Sequence, residues 1–329
     1  MSVPFTRTLG RSGIKVSALG LGCWAIGGPA WAGETPVGWG EVDDRESIRA
    51  LHAALDKGVT FFDTADVYGA GHSERVLGQA LEGRKNDVVI ASKFGNVYDE
   101  ESRQITGEDA SPEYIRRACE ASLRRLGRDY IDLYLFHING YPVEKAEPVR
   151  EALEELVQEG KIRSYGWSTD FPDSARFFAD GEHCSAIEVE LNVIDDNPEI
   201  VQICENRDLA CINRGPLAMG ILTGKYSGSA TLAEKDVRGP LSPEWMKYFE
   251  GGKPASEWLS KMERVRNVLT AEDRTLAQGA LAWLWRRSEK TIPIPGFRTV
   301  AQVEENARAM EHGPLEPGRM REIRDLMKE

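Results

Sequence analysis

Short apolar segments recur along the chain, and a longer segment with helical spacing follows most of them. Runs such as VVIASK and DLYLFH are apolar at consecutive positions, as expected of strands buried on both faces. Alternating strands and helices predict a parallel sheet, and eight such units predict an α/β fold that closes into a (β/α)8 TIM barrel. The predicted strands are Ala18–Gly22, Thr60–Thr64, Val88–Lys93, Ile131–His137, Ile162–Ser168, Ala186–Glu190, Leu209–Asn213 and Thr291–Ile294.

Capping residues mark where individual helices begin and end. Ser111 is a predicted N-cap, and Pro112 follows at the first helical position, where its missing N–H costs nothing. A helical stripe of Val and Leu over residues 149–157 ends at Gly160, which is suited to a helix C-terminus. Residues 5–17 predict a β-hairpin that turns at Arg11-Ser12-Gly13 and caps one end of the barrel.

The chain carries no internal repeat beyond this rhythm, so we expect one barrel domain over residues 1–329. Three long connections, 23–43, 94–111 and about 214–272, each follow a predicted strand. Such loops lie at the C-terminal face of a barrel, where active sites are built. A helical segment of about residues 299–329 completes the chain.

Composition and charge exclude several classes of protein. The net charge is −12 and no long basic run occurs, so nucleic acid is not an expected partner. The N-terminus has no apolar signal core and no segment is apolar enough to span a membrane, which predicts a cytoplasmic protein without membrane association. Five scattered cysteines without a C-x-x-C pair indicate reduced thiols, and the five histidines show no spacing for a metal site.

Four polar residues lie at or just beyond the ends of three consecutive predicted strands: Asp63, Tyr68, Lys93 and His137. In a barrel these strand ends are neighbours, so the four side chains are expected to converge. Taken singly, Asp63 fits a turn cap, Tyr68 a loop-packing aromatic and His137 a core histidine. A lysine that ends a buried strand needs a partner or a lowered pKa, and Asp63 is the obvious partner for Lys93.

Six segments resemble the aldo-keto reductase family and occur in the family's order: FFDTADVYGAGHSERVLGQAL, VVIASKFG, DYIDLYLFHING, GKIRSYGWS, GPLAMGILTGKY and IPIPGFRTVAQVEEN. The resemblance covers nearly the whole chain. It implies an oxidoreductase that uses NADPH to reduce aldehydes or ketones to alcohols, with Asp63, Tyr68, Lys93 and His137 as the catalytic tetrad.

The residue types fit this chemistry. Tyr68 would act as general acid, and its pKa, ordinarily about 10, is expected to be lowered by Lys93. Asp63 would keep Lys93 charged and in place, and His137 would donate a hydrogen bond to the substrate oxygen.

The resemblance also implies the contacts of the nicotinamide end, where this chain departs from the commonest pattern. Thr169 stands in place of the usual Asn and Glu188 in place of the usual Gln, although both can still form hydrogen bonds. Arg214 stands where many members have a stacking Tyr, and a guanidinium can either stack on a ring or reach the pyrophosphate. The implied cofactor contacts in this part of the chain are Cys23, Trp24, Asp63, Ser168, Thr169, Glu188, Arg214, Gly215 and Pro216, with Leu217, Gly220 and Lys225 at the pyrophosphate.

The segment PGFRTVAQVEEN is implied to bind the adenosine end. Arg298 favours NADPH because a guanidinium pairs well with a phosphate, while Gln302 replaces a second basic residue of many members. The implied contacts are Pro295, Gly296, Phe297, Arg298, Thr299, Gln302, Glu305 and Asn306.

The loop after the first strand carries three tryptophans. Its start, Gly20-Leu-Gly-Cys-Trp-Ala25, satisfies a loose dinucleotide fingerprint, but no helix can begin in the Gly-rich segment that follows. We therefore interpret it as a barrel strand and loop. Trp24, Trp31 and Trp39 are typical either of a wall of the substrate pocket, together with Tyr68 and His137, or of packing within the loop.

Two other functions remain open from the sequence. A lysine at the end of a barrel strand is also the nucleophile of Schiff-base lyases. A barrel that keeps its nucleotide site with little turnover would resemble the potassium channel beta subunits, which act as cofactor sensors. Substrate identity, the physiological direction and the oligomeric state do not follow from the sequence.

Overall fold

The computed structural model describes residues 5–84 and 87–328 of the chain. The strands are, in chain order, β1 (Thr6–Thr8), β2 (Lys15–Ser17), β3 (Gly20–Gly22), β4 (Trp31–Ala32), β5 (Thr35–Pro36), β6 (Phe61–Asp63), β7 (Val89–Phe94), β8 (Asn96–Asp99), β9 (Gln104–Glu108), β10 (Ile131–Phe136), β11 (Ile162–Ser168), β12 (Cys184–Glu190), β13 (Ala210–Arg214), β14 (Phe249–Glu250), β15 (Lys253–Pro254) and β16 (Thr291–Pro293). The helices are α1 (Asp44–Asp56), α2 (His72–Ala80), α3 (Pro112–Leu126), α4 (Glu147–Gln158), α5 (Pro172–Ala179), α6 (Pro198–Arg207), α7 (Ser256–Leu269), α8 (Leu276–Arg287), α9 (Val300–His312) and α10 (Pro317–Leu326).

Eight strands form one parallel sheet in the order β3, β6, β7, β10, β11, β12, β13 and β16. The two outer strands meet where Gly22 forms a parallel bridge with Gly296 and its N–H donates to the carbonyl of Pro295 at 3.1 Å. All eight predicted strands overlap the observed ones, and the predicted barrel of the α/β class is confirmed.

The barrel interior is filled by side chains, and a hairpin closes its N-terminal end. Phe61, Leu133 and Ile212 belong to an inner apolar cluster that also includes Leu9 and Val16 of the β1–β2 hairpin. The hairpin therefore caps the barrel as predicted. A second, larger cluster packs between the strands and the surrounding helices. The predicted N-cap is also present, since the Ser111 hydroxyl accepts a hydrogen bond from the Tyr114 N–H at 3.3 Å.

Alternation along the barrel strands determines which side chains enter the active-site end. Ala91, Leu135 and Ala186 lie in the inner cluster. Successive strand residues point to opposite faces, so the residue two positions further along each strand points inward as well. These positions are the two polar residues Lys93 and Glu188 and, just past the end of β10, His137. The polar side chains at the active-site end therefore point into the barrel interior, as do the apolar side chains two positions before them.

The long loops cover the C-terminal face of the barrel. β4 and β5 from the first loop join β8 and β9 from the second in a four-stranded sheet. The third loop contains the β14–β15 hairpin before α7 begins. The five cysteines are free and buried. Among the described residues, no helix is long and apolar enough to cross a membrane.

Candidate active site

A buried ion pair lies at the centre of the C-terminal face. The Lys93 Nζ donates to Asp63 Oδ1 at 2.5 Å and to the Thr64 carbonyl at 3.0 Å. Both charged side chains are almost completely buried. The structure therefore places Asp63 as the partner of Lys93, as the sequence predicted.

A second carboxylate contacts the same lysine. Glu188 Oε2 lies 3.5 Å from Lys93 Nζ, and Glu188 Oε1 accepts a hydrogen bond from the Ser168 hydroxyl at 3.1 Å. Burial alone would lower the pKa of Lys93, but Asp63 and Glu188 outweigh it and the pKa is raised above its ordinary value. An ammonium held in this way lacks the free lone pair that a Schiff-base nucleophile needs.

Tyr68 approaches the ion pair from the loop after β6. Its hydroxyl lies 3.3 Å from Lys93 Nζ. The loop is fixed by close backbone packing, since a Cβ at Gly69, where φ is +60°, would fall 1.9 Å from the Gly27 carbonyl oxygen. The Ser73 N–H also donates to the Tyr68 carbonyl at 3.1 Å. Tyr68 therefore has little freedom to leave the lysine.

The net pKa of Tyr68 differs in direction from the expectation. Burial raises the pKa of the phenol most, and the carboxylates Asp63 and Glu188 raise it further, while Lys93 lowers it. The balance lies above the ordinary value, so the prediction of a lowered pKa was wrong. A raised pKa keeps Tyr68 protonated at neutral pH, which is the state from which it can donate.

His137 completes the cluster as a neutral imidazole. Its ring meets the Tyr68 ring edge-on, with centroids 5.8 Å apart. Burial, together with the positive charges of Lys93 and Arg214, holds the pKa of His137 well below its usual range. Its Nδ1 is buried without a partner among the described residues. A neutral histidine at this place can donate one hydrogen bond to an oxygen beside Tyr68.

Residues predicted to hold the nicotinamide lie around the ion pair, but not all have free polar atoms. The Thr169 hydroxyl donates to the Asn139 carbonyl at 2.9 Å and accepts from the Phe171 N–H, so its single donor is already used. The Thr169 hydroxyl can therefore still accept a hydrogen bond from a carboxamide, but it has no proton left to donate. Cys23 is buried beside Asp63, and burial raises the pKa of its thiol.

Arg214 is held by two carboxylates that the sequence analysis did not single out. Its guanidinium pairs with Asp170 and lies 3.4 Å from Glu190 Oε2. Lys247 also pairs with Glu190, at 3.3 Å. Glu190 lies two positions after Glu188 on β12, so strand alternation places both side chains on the same face. This alternation could have identified Glu190 from the sequence.

The segment after Arg214 forms an irregular turn over the barrel. Met219 and Gly220 adopt positive φ values of 52° and 100°. Pro216 is buried, Gly215 and Leu217 are partly exposed, and Lys225 is exposed with its ammonium 4.8 Å from the Tyr226 ring.

A cavity of about 430 Å³ lies at the predicted adenosine end, between the start of α1 and the start of α9. Arg298, Thr299 and Gln302 line it together with Asp43 and Glu46. Arg298 donates to the Trp39 carbonyl at 3.2 Å and to the Glu41 carbonyl. Its side chain therefore ties the first long loop to this cavity.

The other residues predicted at the adenosine end differ in exposure. Phe297 is buried in the core, so only its backbone can face a ligand. Gly296 and Glu305 are exposed, whereas Pro295 and Asn306 are buried.

Three tryptophans form an aromatic wall beside Tyr68. Trp24 stacks on Tyr68 at a centroid distance of 6.0 Å and meets Trp39 edge-on at 5.4 Å. The third member is Trp245, from the loop after β13, at 6.1 Å from Trp24. Trp31 lies in β4 instead, where its backbone pairs with Pro36 and Gln104. Sequence reasoning missed Trp245 because nothing along the chain indicates where this loop folds back.

The ionisable residues Asp63, Tyr68, Lys93 and His137 thus converge at the C-terminal end of a (β/α)8 barrel, where such barrels carry their active sites. Residues 18–328 match the Aldo/keto reductase family. The aldo-keto reductase yakc of Schizosaccharomyces pombe, whose name includes NADP(+), is 32% identical over 99% of this chain and 92% of its own. The glycerol dehydrogenase AKR11B4 of Gluconobacter oxydans has a TM-score of 0.82 and 28% identity over 98% of this chain and 95% of its own.

A Klebsiella pneumoniae aldo/keto reductase, solved with NADP and acetate, has a TM-score of 0.71 and 29% identity over 99% of this chain and 96% of its own. The chain belongs to the aldo/keto reductase family. The prediction of the family is thus confirmed, and NADP(H), the predicted cofactor, is bound in structures of the Klebsiella protein.

Proposed function

We propose that the protein reduces aldehydes or ketones to alcohols with NADPH. The observation that carries the proposal is the Tyr68 hydroxyl, 3.3 Å from a lysine that two buried carboxylates keep charged. His137 lies against the same phenol. This arrangement offers a protonated acid and a neutral hydrogen-bond donor at one point of the barrel mouth.

The proton chemistry follows from these positions. The substrate carbonyl oxygen binds between the Tyr68 hydroxyl and the His137 imidazole, which orient it. NADPH, when bound, supplies the hydride that reduces the carbonyl carbon. Tyr68 donates its proton to the oxygen as negative charge develops there, and Lys93 stabilises the resulting phenolate. Asp63 keeps Lys93 in place throughout.

The residues present fit this cofactor. Glu188 Oε1 accepts one hydrogen bond from Ser168 and retains a lone pair for the carboxamide NH2. Because Asp170 and Glu190 neutralise Arg214, we assign its planar group to stacking on the nicotinamide rather than to the pyrophosphate. The cavity beside Arg298 would hold the adenosine and its 2′-phosphate.

Two carboxylates line that cavity, and each has partners of its own. Asp43 caps α1 by accepting from the Arg45 N–H at 2.9 Å. Glu46 accepts from the Val300 N–H at 3.0 Å and pairs with Arg49. These contacts reduce, without removing, the repulsion that a 2′-phosphate would meet, so the preference for NADPH rests on Arg298.

We expect Arg298→Ala to weaken NADPH binding about 10- to 100-fold, because a charge-assisted hydrogen bond to phosphate is lost. NADH binding should change much less, since NADH has no 2′-phosphate. Fluorescence titration of the two cofactors measures both constants. Arg308→Ala, at an exposed position on α9, is the matched control. Equal weakening of NADPH and NADH binding would remove Arg298 from the phosphate role.

The mouth of the barrel favours an apolar or aromatic substrate. The exposed large apolar side chains Phe171, Leu241 and Trp245 all lie in loops at this face, and Trp245 is 57% exposed. Trp245 adjoins Trp24, which stacks on the proposed acid. Exposed apolar groups around a polar centre are typical of a ligand site.

The decisive experiment follows NADPH absorbance with purified protein against matched aryl and alkyl aldehydes and ketones. We expect turnover, faster with aryl than with small polar carbonyls. Tight NADPH binding without turnover of any carbonyl would favour a cofactor-sensing protein instead. Failure to bind either NADPH or NADP⁺ would overturn the proposed function.

A further inference from the structure

Two buried carboxylate oxygens in the site lack a hydrogen-bond partner among the described residues. They are Asp63 Oδ2 and Glu188 Oε2. Both carboxyl groups contact the Lys93 ammonium, and Glu188 is near enough to Asp63 to raise the pKa of Asp63. Two ionised carboxylates have only acceptors, so their adjacent oxygens would repel each other at a fully buried place. A single proton between Asp63 Oδ2 and Glu188 Oε2 would join these two unpartnered atoms in one hydrogen bond.

The charges around the pair also favour this proton. Lys93 is the cation in direct contact with both carboxyl groups, at 2.5 Å and 3.5 Å. Arg214 is already paired with Asp170 and Glu190. The titratable and charged groups that face the pair from neighbouring strands and loops are Lys93, Tyr68, Cys23, His137 and Arg214.

Three of those five groups are neutral at neutral pH. Burial raises the pKa of Tyr68 and of Cys23 and lowers the pKa of His137. One ammonium therefore faces two carboxyl groups, and burial together with Glu188 raises the pKa of Asp63 well above its ordinary value.

We propose that Asp63 and Glu188 share one proton, Oδ2···H···Oε2, and that this proton leaves when oxidised NADP⁺ binds. The second part rests on the proposed function, whereas the first does not. With the proton in place, Lys93 faces a single negative charge. Glu188, when it holds the proton, then has the same net charge as a Gln at this position would have.

The coupling to the cofactor follows from charge balance. The nicotinamide of NADP⁺ carries a positive charge and that of NADPH does not. A positive ring beside Glu188 favours the doubly ionised pair, so an O–H bond breaks and the proton passes to the solvent without any electron transfer. By linkage, NADP⁺ affinity rises with pH by up to about tenfold per pH unit while the pair titrates, and NADPH affinity does not.

Glu188→Gln is the informative substitution because it keeps the shape and removes the titration. The amide NH2 can donate to Asp63 Oδ2, and the amide oxygen can accept from Ser168. The variant should fold, which its thermal midpoint checks. Asp66→Asn is the matched control, since Asp66 is a second buried carboxyl whose pKa burial raises, and it lies outside the pair.

Infrared spectroscopy of the cofactor-free protein tests the shared proton directly. At about pH 7, the difference spectrum between native protein and Glu188→Gln should show a carboxylic-acid C=O stretch that shifts in D2O. The corresponding difference with Asp66→Asn should show a separate band and leave the first unchanged. Absence of the carboxylic-acid band from the Glu188→Gln difference would mean that both groups are ionised, and the proposal would be overturned.

Calorimetry tests the coupling. Titrations of NADP⁺ and of NADPH in two buffers with different ionisation enthalpies give the number of protons released. We expect close to one proton with NADP⁺ and almost none with NADPH, and almost none with either cofactor in Glu188→Gln. Equal release by native protein and variant would overturn the coupling. Failure of both cofactors to bind would overturn the proposed function and the coupling, while the infrared result decides the shared proton independently.

Discussion

Replacing Tyr68 by Phe should lower kcat by about 100- to 10,000-fold, the usual contribution of a general acid, while NADPH affinity stays nearly constant. The substitution removes one hydroxyl that lies 3.3 Å from Lys93 Nζ and keeps the ring that stacks on Trp24. Cofactor binding should be spared because we assign no cofactor contact to the phenol hydroxyl. Steady-state turnover and a fluorescence titration of NADPH measure the two quantities.

Tyr130→Phe is the matched control for this experiment. Tyr130 directly precedes β10, at the opposite end of the barrel, where its ring lies beside Arg128 and Arg163. The Tyr130→Phe variant also loses a phenol hydroxyl, but its kcat should equal that of the native protein. If Tyr68→Phe reduced the carbonyl as fast as this control, Tyr68 would not be the proton donor.

The convergence of the tetrad could be predicted because barrel geometry follows from simple patterns. Strands buried on both faces show as continuous apolar runs, so β7 and β10 were found within one residue of their observed bounds. Parallel neighbours then bring Asp63, Lys93 and His137 to one face. The pairing of Asp63 with Lys93 followed from the cost of burying an unpaired ammonium.

Properties that depend on contacts between distant loops could not be predicted. The net pKa of Tyr68 depends first on how deeply the phenol is buried and then on its distances to Lys93, Asp63 and Glu188, and no spacing along the chain gives these quantities. The Thr169 hydroxyl is used by a carbonyl of the loop after β10. Trp245 reaches Trp24 from the loop after β13. Such contacts depend on loop conformations, which lack the periodicity of strands and helices.

The contacts of Arg214 favour one of two roles that the sequence leaves open. A guanidinium at this position can stack or bind phosphate. Its pairing with Asp170 and Glu190 leaves little net charge for a pyrophosphate, which favours stacking. Burial would lower the pKa of Arg214, but Asp170 and Glu190 outweigh it and the pKa is raised, so its charge is retained.

Replacing Lys93 by Met should abolish turnover and also lower the free energy of unfolding by about 3–5 kcal/mol near pH 8, because removing one partner strands a buried charge. Lys93 is fully buried and is the shared partner of Asp63 and Glu188. Without it, the two carboxyl groups lose the cation that contacts both, so the folded variant favours their protonated forms more strongly than the native protein does. The native state then binds more protons than the unfolded state, and stability falls as pH rises. Denaturant unfolding at about pH 5 and about pH 8 should therefore show the smaller loss at the lower pH.

A combined variant separates the structural effect of Lys93 from its catalytic one. Adding Asp63→Asn and Glu188→Gln to Lys93→Met removes the stranded charges, so most of the lost stability should return while turnover stays absent. Lys247→Met, which breaks a partly exposed ion pair with Asp195, is the control and should cost no more than about 1 kcal/mol. If the Lys93→Met protein were as stable as the native one at both pH values, the ion pair would not contribute to the free energy of unfolding.

Trapping of a carbonyl substrate on Lys93 of the native protein by borohydride would instead point to Schiff-base chemistry, because a lysine held protonated by two carboxylates forms no imine.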